Sequence, residues 1–348
     1  MATIKSTSYN IYIGDKSFDA LNTFIKKTAY TKYVIICDEN SFTHCLPTLL
    51  FHCPALNEAE IIELESGEEN KTLETTANIW GALTDIGADR KSLILNLGGG
   101  VITDMGGFAA STFKRGIHFV NIPTTLLSMV DASVGGKTGI DFNGIKNHIG
   151  TITEPQAIIV NPVFIETLPE RQIKNGYAEI AKIALIADAD FWKVLKKGKE
   201  FYSEAIITKA IELKNTIVKK DLHENNIRKS LNFGHSIGHA LESSLIKLKK
   251  DILHGEAVAA GMIMEAIVAQ QQKMITKKEC DEICTYLHSV YNKVTISNDV
   301  KNLMLNYILH DKKNEGENLC FALPKSIGKY ELSCSISTKD VEEVIKLY

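Results

Sequence analysis

The apolar residues of this 348-residue chain change their period once, near residues 155–162, and that change limits the folds available to it. Before it, short β-branched or aliphatic runs alternate with longer helical ones. Tyr33–Cys37 and Ser92–Leu97 read as buried strands, with Leu73–Ile86 as a helix between them. Parallel neighbours need a long connection, so this alternation predicts a parallel sheet with crossover helices. Ile117–Ile122 and Ala157–Val160 add strands. Past Asn161 the spacing is that of amphipathic helices, over 176–186, 191–196, 203–221, 235–247, 256–271 and 277–290. With no internal repeat or low-complexity linker, the chain is expected to be α/β. A parallel-sheet domain (1–158) precedes an all-helical one (159–348).

Composition narrows the partners. A net charge of -3 leaves no basic excess to neutralise a nucleic-acid backbone, so nucleic acid is not expected. The opening residues Met1–Ser6 lack the apolar core of a signal peptide, and no stretch is long enough to span a membrane, so the cytoplasm is the expected compartment. The cysteines are odd in number, 7, and form no Cys-x-x-Cys pair. They are expected to be reduced and structural, including Cys280 and Cys284, one helical turn apart.

Gly98-Gly99-Gly100 follows directly on a strand and precedes a run compatible with a helix from Thr103. Glycines there allow backbone N–H groups to approach a pyrophosphate beside a helix N-terminus. The spacing is not Gly-x-Gly-x-x-Gly, and a tight strand-to-helix turn explains the glycines equally well. Asp38, just past its strand, suits either an adenosine ribose or a helix N-cap. Further along, Lys114-Arg115, Asp131, Gly135–Gly139 with Lys137, and Lys146-Asn147 lie in a glycine-rich frame. A nucleoside-triphosphate loop fails here, because its first glycine would fall on Asp131. Several cations on flexible backbone suit a phosphate monoester plus a dinucleotide.

Three segments of the second half, Asn175–Glu179, Asn232–His239 and Leu253–Glu256, bring one carboxylate and several imidazoles: Glu179, His235, His239 and His254. One carboxylate and two imidazoles around a divalent ion leave positions open for substrate, as in a catalytic zinc site. His235 and His239 share a helix face, and spacing does not say which histidines bind. Arg228 stands one turn before Asn232 and two before His235 on the expected site face, where its fork suits a carboxylate. Lys182, Lys214 and Lys312-Lys313 add charge nearby.

With these residues in view, the chain closely resembles the 3-dehydroquinate synthase family over roughly Ser66 to Gly316. The likeness is carried by SGEENK (66–71), GGGVITDMGGFAASTFKRG (98–116), IPTTLLSMVDASVGGKTGID (122–141), NGYAEIAK (175–182), NFGHSIGHALE (232–242) and LHGEAV (253–258). The resemblance implies a Rossmann-like NAD-binding domain, a helical metal-binding domain and an active site in the cleft between them. Metal ligands would be Glu179, His235 and His254, with Zn2+ or Co2+ as the ion, leaving His239 for proton transfer and phosphate contact. NAD contacts would fall on Asp38, Ser66, Gly67, Glu68, Glu69, Asn70, Lys71, Gly100, Val101, Ile102, Thr103, Asp104, Thr124, Thr125, Lys137, Lys146, Phe164, Ile165, Glu166 and Thr167. Catalytic and substrate contacts would be Asp131, Lys137, Lys146, Asn147, Lys182, Lys214, Arg228, Asn232, His239 and Lys313. Arg115 would reach the phosphate in the neighbouring subunit of a homodimer.

The implied reaction, that of a carbon–oxygen lyase in the shikimate pathway to chorismate and the aromatic amino acids, converts 3-deoxy-D-arabino-heptulosonate 7-phosphate to 3-dehydroquinate and phosphate. It proceeds by transient oxidation at C5 with bound NAD, phosphate elimination, return of the hydride, and intramolecular aldol closure. Two departures stand out: Asn161-Pro162 where Asp-Pro is usual, touching a turn, and Asn143-Gly144-Ile145 before Lys146. The chain ends at Tyr348, so no second enzyme is expected. Rival readings are another sugar phosphate cyclase, an NAD- and metal-dependent alcohol dehydrogenase, and a non-catalytic NAD sensor. Lys214 with Arg228 favours a carboxylate-bearing substrate, and Arg115, Lys137 and Lys146 serve a phosphate that an alcohol dehydrogenase does not need.

Overall fold

The computed structural model describes residues 1–143, 145–198, 200–309 and 318–348. The chain divides into two compact units, Met1–Pro169 with Tyr202–Leu222, and Glu170–Phe201 with His223–Tyr348.

The first unit opens with β1 (Ala2–Lys5), β2 (Asn10–Ile13), α1 (Ser17–Lys27), β3 (Tyr33–Asp38), α2 (Glu39–His44), α3 (Leu46–His52) and β4 (Glu60–Leu64). It continues through α4 (Leu73–Asp85), β5 (Leu93–Gly98), α5 (Gly100–Thr112), β6 (His118–Pro123), β7 (Lys137–Phe142), β8 (Ile145–Ile152) and β9 (Ala157–Val160). Seven strands form one sheet in the order β1-β2-β9-β6-β5-β3-β4. The β1–β2 pair is antiparallel and the other pairings are parallel. Residues of β5 and β9 are buried throughout, as continuous apolar strands covered on both faces must be. Ile94, Ile102, Met105, Ala109 and Phe119 form part of the core between sheet and helices.

The core also carries polar ties. Asn96 on β5 stands opposite Asn121 on β6, and its amide donates to the Asn121 carbonyl at 2.9 Å, which fixes that register. From β3 the chain runs outward to β4, then crosses back to β5 on the other side of β3. This reversal makes a topological switch point at the carboxyl ends of β3 and β5, where ligands of such sheets bind. Asp38 and Gly98–Gly100 lie there.

The chain then forms α6 (Glu170–Ala187) and α7 (Ala189–Lys197), and returns to the first unit as α8 (Glu204–Lys220). The sequence reading assigned the α8 stretch to the helical half; in the structure it clusters with the sheet, where Asn215 donates to the Lys5 carbonyl at 3.2 Å. The second unit adds α9 (His235–Lys247), α10 (His254–Gln271), α11 (Lys277–Val290), α12 (Asn298–Leu309), β10 (Asn318–Ser326), β11 (Lys329–Ser337) and α13 (Thr338–Leu347). It is helical as expected, except for the antiparallel hairpin β10–β11, which the helical period did not disclose. Helix α10 is buried on nearly every side, from Gly255 through Ala269, the mark of a central helix rather than an amphipathic one. Among the described residues, no helix is long and apolar enough to cross a membrane.

Candidate active site

In the helical unit the site is built by close approach of backbones. A Cβ on Gly261 of α10 would lie 2.0 Å from the Gly234 carbonyl oxygen, and one on Gly238 of α9 would lie 2.9 Å from that of Ala257. The absence of side chains at these positions lets α9 and α10 touch along their backbones. Gly234 itself takes a left-handed φ of 78° just before α9. The first turn of α9 is held by Glu265, fully buried on α10, whose two carboxylate oxygens accept from the N–H groups of Gly234 at 2.6 Å and Ile237 at 3.0 Å. Arg228 does not continue this helix. It lies on a separate 3-10 turn (Ile227–Asn232), where it is buried, so the expected common helical face for Arg228, Asn232 and His235 is not observed. Asn232 donates to Glu224 Oε1 at 2.9 Å.

This packing brings His235, His239 and His254 together. Their nearest ligand nitrogens lie within 4.8 Å of one another, the only such convergence of three or more among the described residues, and no cysteine joins it. Cys280 and Cys284 lie on α11 with sulfurs 4.0 Å apart. Glu179 on α6 faces the histidines: its Oε1 is 3.5 Å from His235 Nε2 and 3.3 Å from His254 Nε2. The carboxylate is buried, and among the described residues neither oxygen makes a hydrogen bond of normal geometry. The Lys182 ammonium pairs with it from the next turn. Each imidazole is oriented from behind, His235 Nδ1 by the Phe233 carbonyl at 3.2 Å and His254 Nδ1 by Glu242 at 3.4 Å. Carbonyl and carboxylate only accept, so each Nδ1 carries a proton and each Nε2 is left facing Glu179.

Electrostatics point the same way. Burial would lift the Glu179 carboxyl, but Lys182 and His254 outweigh it and hold its pKa below the usual range. Burial would depress His254, yet Glu179 and Glu242 raise it to about 10, while burial and Lys182 push His235 well down. Two carboxylates thus favour positive charge at His254, and the proton there stands in for a cation. An under-bonded buried carboxylate, two Nε2 atoms aimed at it and a hydrogen-bonded partner behind each ring together fit a divalent metal.

In the sheet unit, α5 starts at Gly100, earlier than Thr103, and its N-cap Gly99 supplies no side-chain cap. A helix N-terminus without a side-chain cap fits an anion there. Thr124 N–H donates to the Gly98 carbonyl at 2.9 Å, and Thr125 Oγ1 accepts from Ser128 N–H at 3.2 Å, holding the neighbouring turn. Asp38 caps α2, accepting from Ser41 N–H at 2.7 Å. Ser66 is held by Glu39, which accepts its N–H at 2.7 Å and its hydroxyl at 2.6 Å; Glu39 had not been singled out.

Lys71 is the hub that gathers separate motifs. Buried, it donates to Asp104 Oδ2 and Asn147 Oδ1, each at 2.6 Å, and lies 4.0 Å from Glu68, which is 3.6 Å from Lys146. Burial opposes charge on Lys71, and Asp104 and Glu68 keep it protonated. Asp131 sits on a π-helical turn (Ser128–Ala132), where Lys214 Nζ grips both its carboxylate and its carbonyl at 2.6 Å. Phe164 and Ile165 are core residues, whereas Glu166, Thr167, Glu69, Lys137 and Asn147 are exposed. Arg115 is exposed beside Lys114, both left-handed at φ 70° and 49°. Asn161 caps the turn 162–167 by accepting from Val163 N–H at 3.1 Å. Lys313 and Gly144 lie outside the described residues.

Comparison with known proteins decides the family. The description "3-dehydroquinate synthase N-terminal" matches residues 61–175, and "3-dehydroquinate synthase C-terminal" matches residues 176–314. A 3-dehydroquinate synthase of Parabacteroides distasonis is 38% identical, with 94% of each chain covered. The chain belongs to the 3-dehydroquinate synthase family. A solved 2-deoxy-scyllo-inosose synthase, in complex with carbaglucose-6-phosphate, NAD+ and Co2+, shares its fold at a TM-score of 0.88 and 24% identity, covering 99% of both chains. The 2-epi-5-epi-valiolone synthase of Streptomyces hygroscopicus, solved with NAD+ and Zn2+, superposes at a TM-score of 0.84 and 25% identity, covering 100% of this chain and 98% of its own.

For this member of the 3-dehydroquinate synthase family, sequence reasoning missed the groups behind the ligands. Glu265 had a signal, as the one acid within the apolar run Ala257–Ala269. Glu242 closes a quoted motif without any hint that it would reach His254. The Phe233 carbonyl has no side-chain signature at all.

Proposed function

We propose that this chain is a 3-dehydroquinate synthase in activity, a carbon–oxygen lyase converting 3-deoxy-D-arabino-heptulosonate 7-phosphate to 3-dehydroquinate and phosphate. NAD is held by the sheet unit, and Zn2+ or Co2+ by Glu179, His235 and His254. The observation that carries this reading is the buried Glu179 carboxylate facing two imidazole Nε2 atoms at 3.3 and 3.5 Å. Support comes from family membership and from two similar enzymes solved with NAD+ and Co2+ or Zn2+.

When bound, the metal supplies Lewis acidity at the C5 oxygen and NAD supplies reversible hydride exchange there. The chain's own residues do the rest. The α5 N-terminus and the loop 66–71 bind the dinucleotide, with the Lys71 hub setting the position of Asp104 and Asn147. Lys182, paired with Glu179, contacts the substrate oxygens. Lys214, steered by Asp131, and Arg228 bind carboxylate and hydroxyl groups, and Asn232 orients the ring. Lys137, Lys146 and His239 hold the phosphate, whose own oxygen takes the C6 proton before elimination. Arg115 serves the phosphate of a partner subunit in a homodimer. Its exposure and left-handed backbone support that role, since strain retained at an exposed non-glycine residue marks a functional constraint.

Purified protein incubated with the heptulosonate phosphate, substoichiometric NAD and zinc should release phosphate well beyond the NAD added, with no net NADH. NADH accumulation without phosphate would sink the cyclase reading in favour of an alcohol dehydrogenase. No turnover at all would favour a sensor.

A further inference from the structure

Arg171, Asn175 and Glu179 recur at four-residue steps along α6 and so share one face. They meet three consecutive residues of α10 in reverse order. Arg171 Nε and Nη2 donate to the two oxygens of Glu256 at 2.7 and 2.8 Å. Asn175 Oδ1 accepts from Gly255 N–H at 2.6 Å. Glu179 Oε1 lies 3.3 Å from His254 Nε2. Glu256 is engaged twice, because its Oε2 also accepts from Leu253 N–H at 2.9 Å and closes the first turn of the helix that starts at His254.

We propose that Arg171 is a positioning residue for the metal centre. Through Glu256 it fixes the register of α6 against the first turn of α10, and so the separation of Glu179 from His254. This rests on the metal-site reading above.

Two features favour register over stability as the purpose. The Arg171 side chain is 47% exposed, and its pairs with Glu256 and, through Nη1 at 2.5 Å, with the exposed Asp251 are open enough to water to add little to folding. Two parallel N–H···O bonds, however, fix angle as well as distance, which a single ammonium cannot do. The middle contact has no slack, since a Cβ on Gly255 would lie 2.1 Å from the Asn175 carbonyl oxygen. One residue of slip along a helix is about 1.5 Å. Metal–ligand distances tolerate only about 0.2 Å, so even a fraction of that slip loosens the donor set.

The test measures zinc affinity by competition with a chromophoric chelator, NAD affinity, and thermal unfolding of the metal-free protein. It compares the parent with Arg171→Met, Arg171→Lys, Glu256→Gln and the Arg171→Met/Glu256→Gln double variant. Arg171→Met should weaken zinc binding about 10–100-fold, the scale typical of residues that orient metal ligands, with NAD affinity unchanged. Arg171→Lys should fall between, and the double variant should lose no more than the weaker single one. Zinc affinity within twofold of the parent in Arg171→Met overturns the proposal, as does a matched loss of zinc and NAD binding, which marks general destabilisation. Should Arg171→Met fail to fold, Arg171→Lys decides, and parental zinc affinity there overturns it. A parent that binds no zinc, with Glu179→Gln indistinguishable from it, overturns the underlying metal site as well.

Discussion

Glu179 concentrates the chemistry of the helical unit in one side chain. Glu179→Gln keeps the volume and removes the charge, so the fold should survive while metal affinity and turnover are lost. Circular dichroism and metal stoichiometry after dialysis check this, and full zinc occupancy with full activity would refute the assignment. Arg115→Ala removes a charge-assisted contact worth about 1.5–3 kcal/mol, or roughly 10–100-fold. It should appear as a raised KM for the heptulosonate phosphate with NAD affinity unmoved; unchanged Michaelis behaviour would count against the cross-subunit role. At this scale the carboxylate and imidazoles were legible, because metal chemistry needs particular residue types in polar, glycine-flanked runs. Their orientation was not. It depends on Glu242 and on a backbone carbonyl, and both act only once the chain has packed.

Between elements, glycines decide how near two helices come, and two of them predict opposite outcomes. Gly261→Ala drives a methyl toward the Gly234 carbonyl oxygen, 2.0 Å from the ideal Cβ, and should destabilise by about 3 kcal/mol as α9 and α10 are forced apart. Gly81, inside α4, has nothing within 4 Å of its Cβ position, so Gly81→Ala should stabilise by about 0.5–1 kcal/mol through helix propensity. Urea unfolding of both variants checks the pair, and a shift of the same sign in each would contradict the packing described. Long helices and buried strands were legible from period alone. The hairpins β7–β8 and β10–β11 were not, because β8 alternates exposed and half-buried residues around glycine, threonine and histidine, without an apolar run. The turn of β10–β11 at Gly328, φ 84°, was its one local signal.

At the level of the whole molecule, the chain enters the sheet unit twice. Helix α8 buries Ile207, Ile211, Ile217 and Val218. At about 1.5–3 kcal/mol per side chain, these four contribute on the order of 6–12 kcal/mol, comparable with the entire stability of a typical domain. A fragment ending at residue 169, which keeps every strand of the sheet and lacks α8, should therefore lose cooperative unfolding and NAD binding. Near-ultraviolet circular dichroism and NAD titration test this, and a sharp melting transition with bound NAD would show that α8 is dispensable. The change of hydrophobic period marked where the sheet ends but not that a later helix returns to it. Amphipathic spacing tells which face is buried and leaves the partner unspecified.

That double entry also bears on heredity. A single recombination crossover between two genes of this family exchanges everything downstream of one point, so it cannot transfer the sheet unit without residues 170–201 of the helical one. Three crossovers, near residues 169, 201 and 222, are needed to move both of its segments, and with them Asp131 and the Lys214 that holds it, while leaving 170–201 behind. Chimaeras with one junction between Asp131 and Lys214 will split that pair between parents.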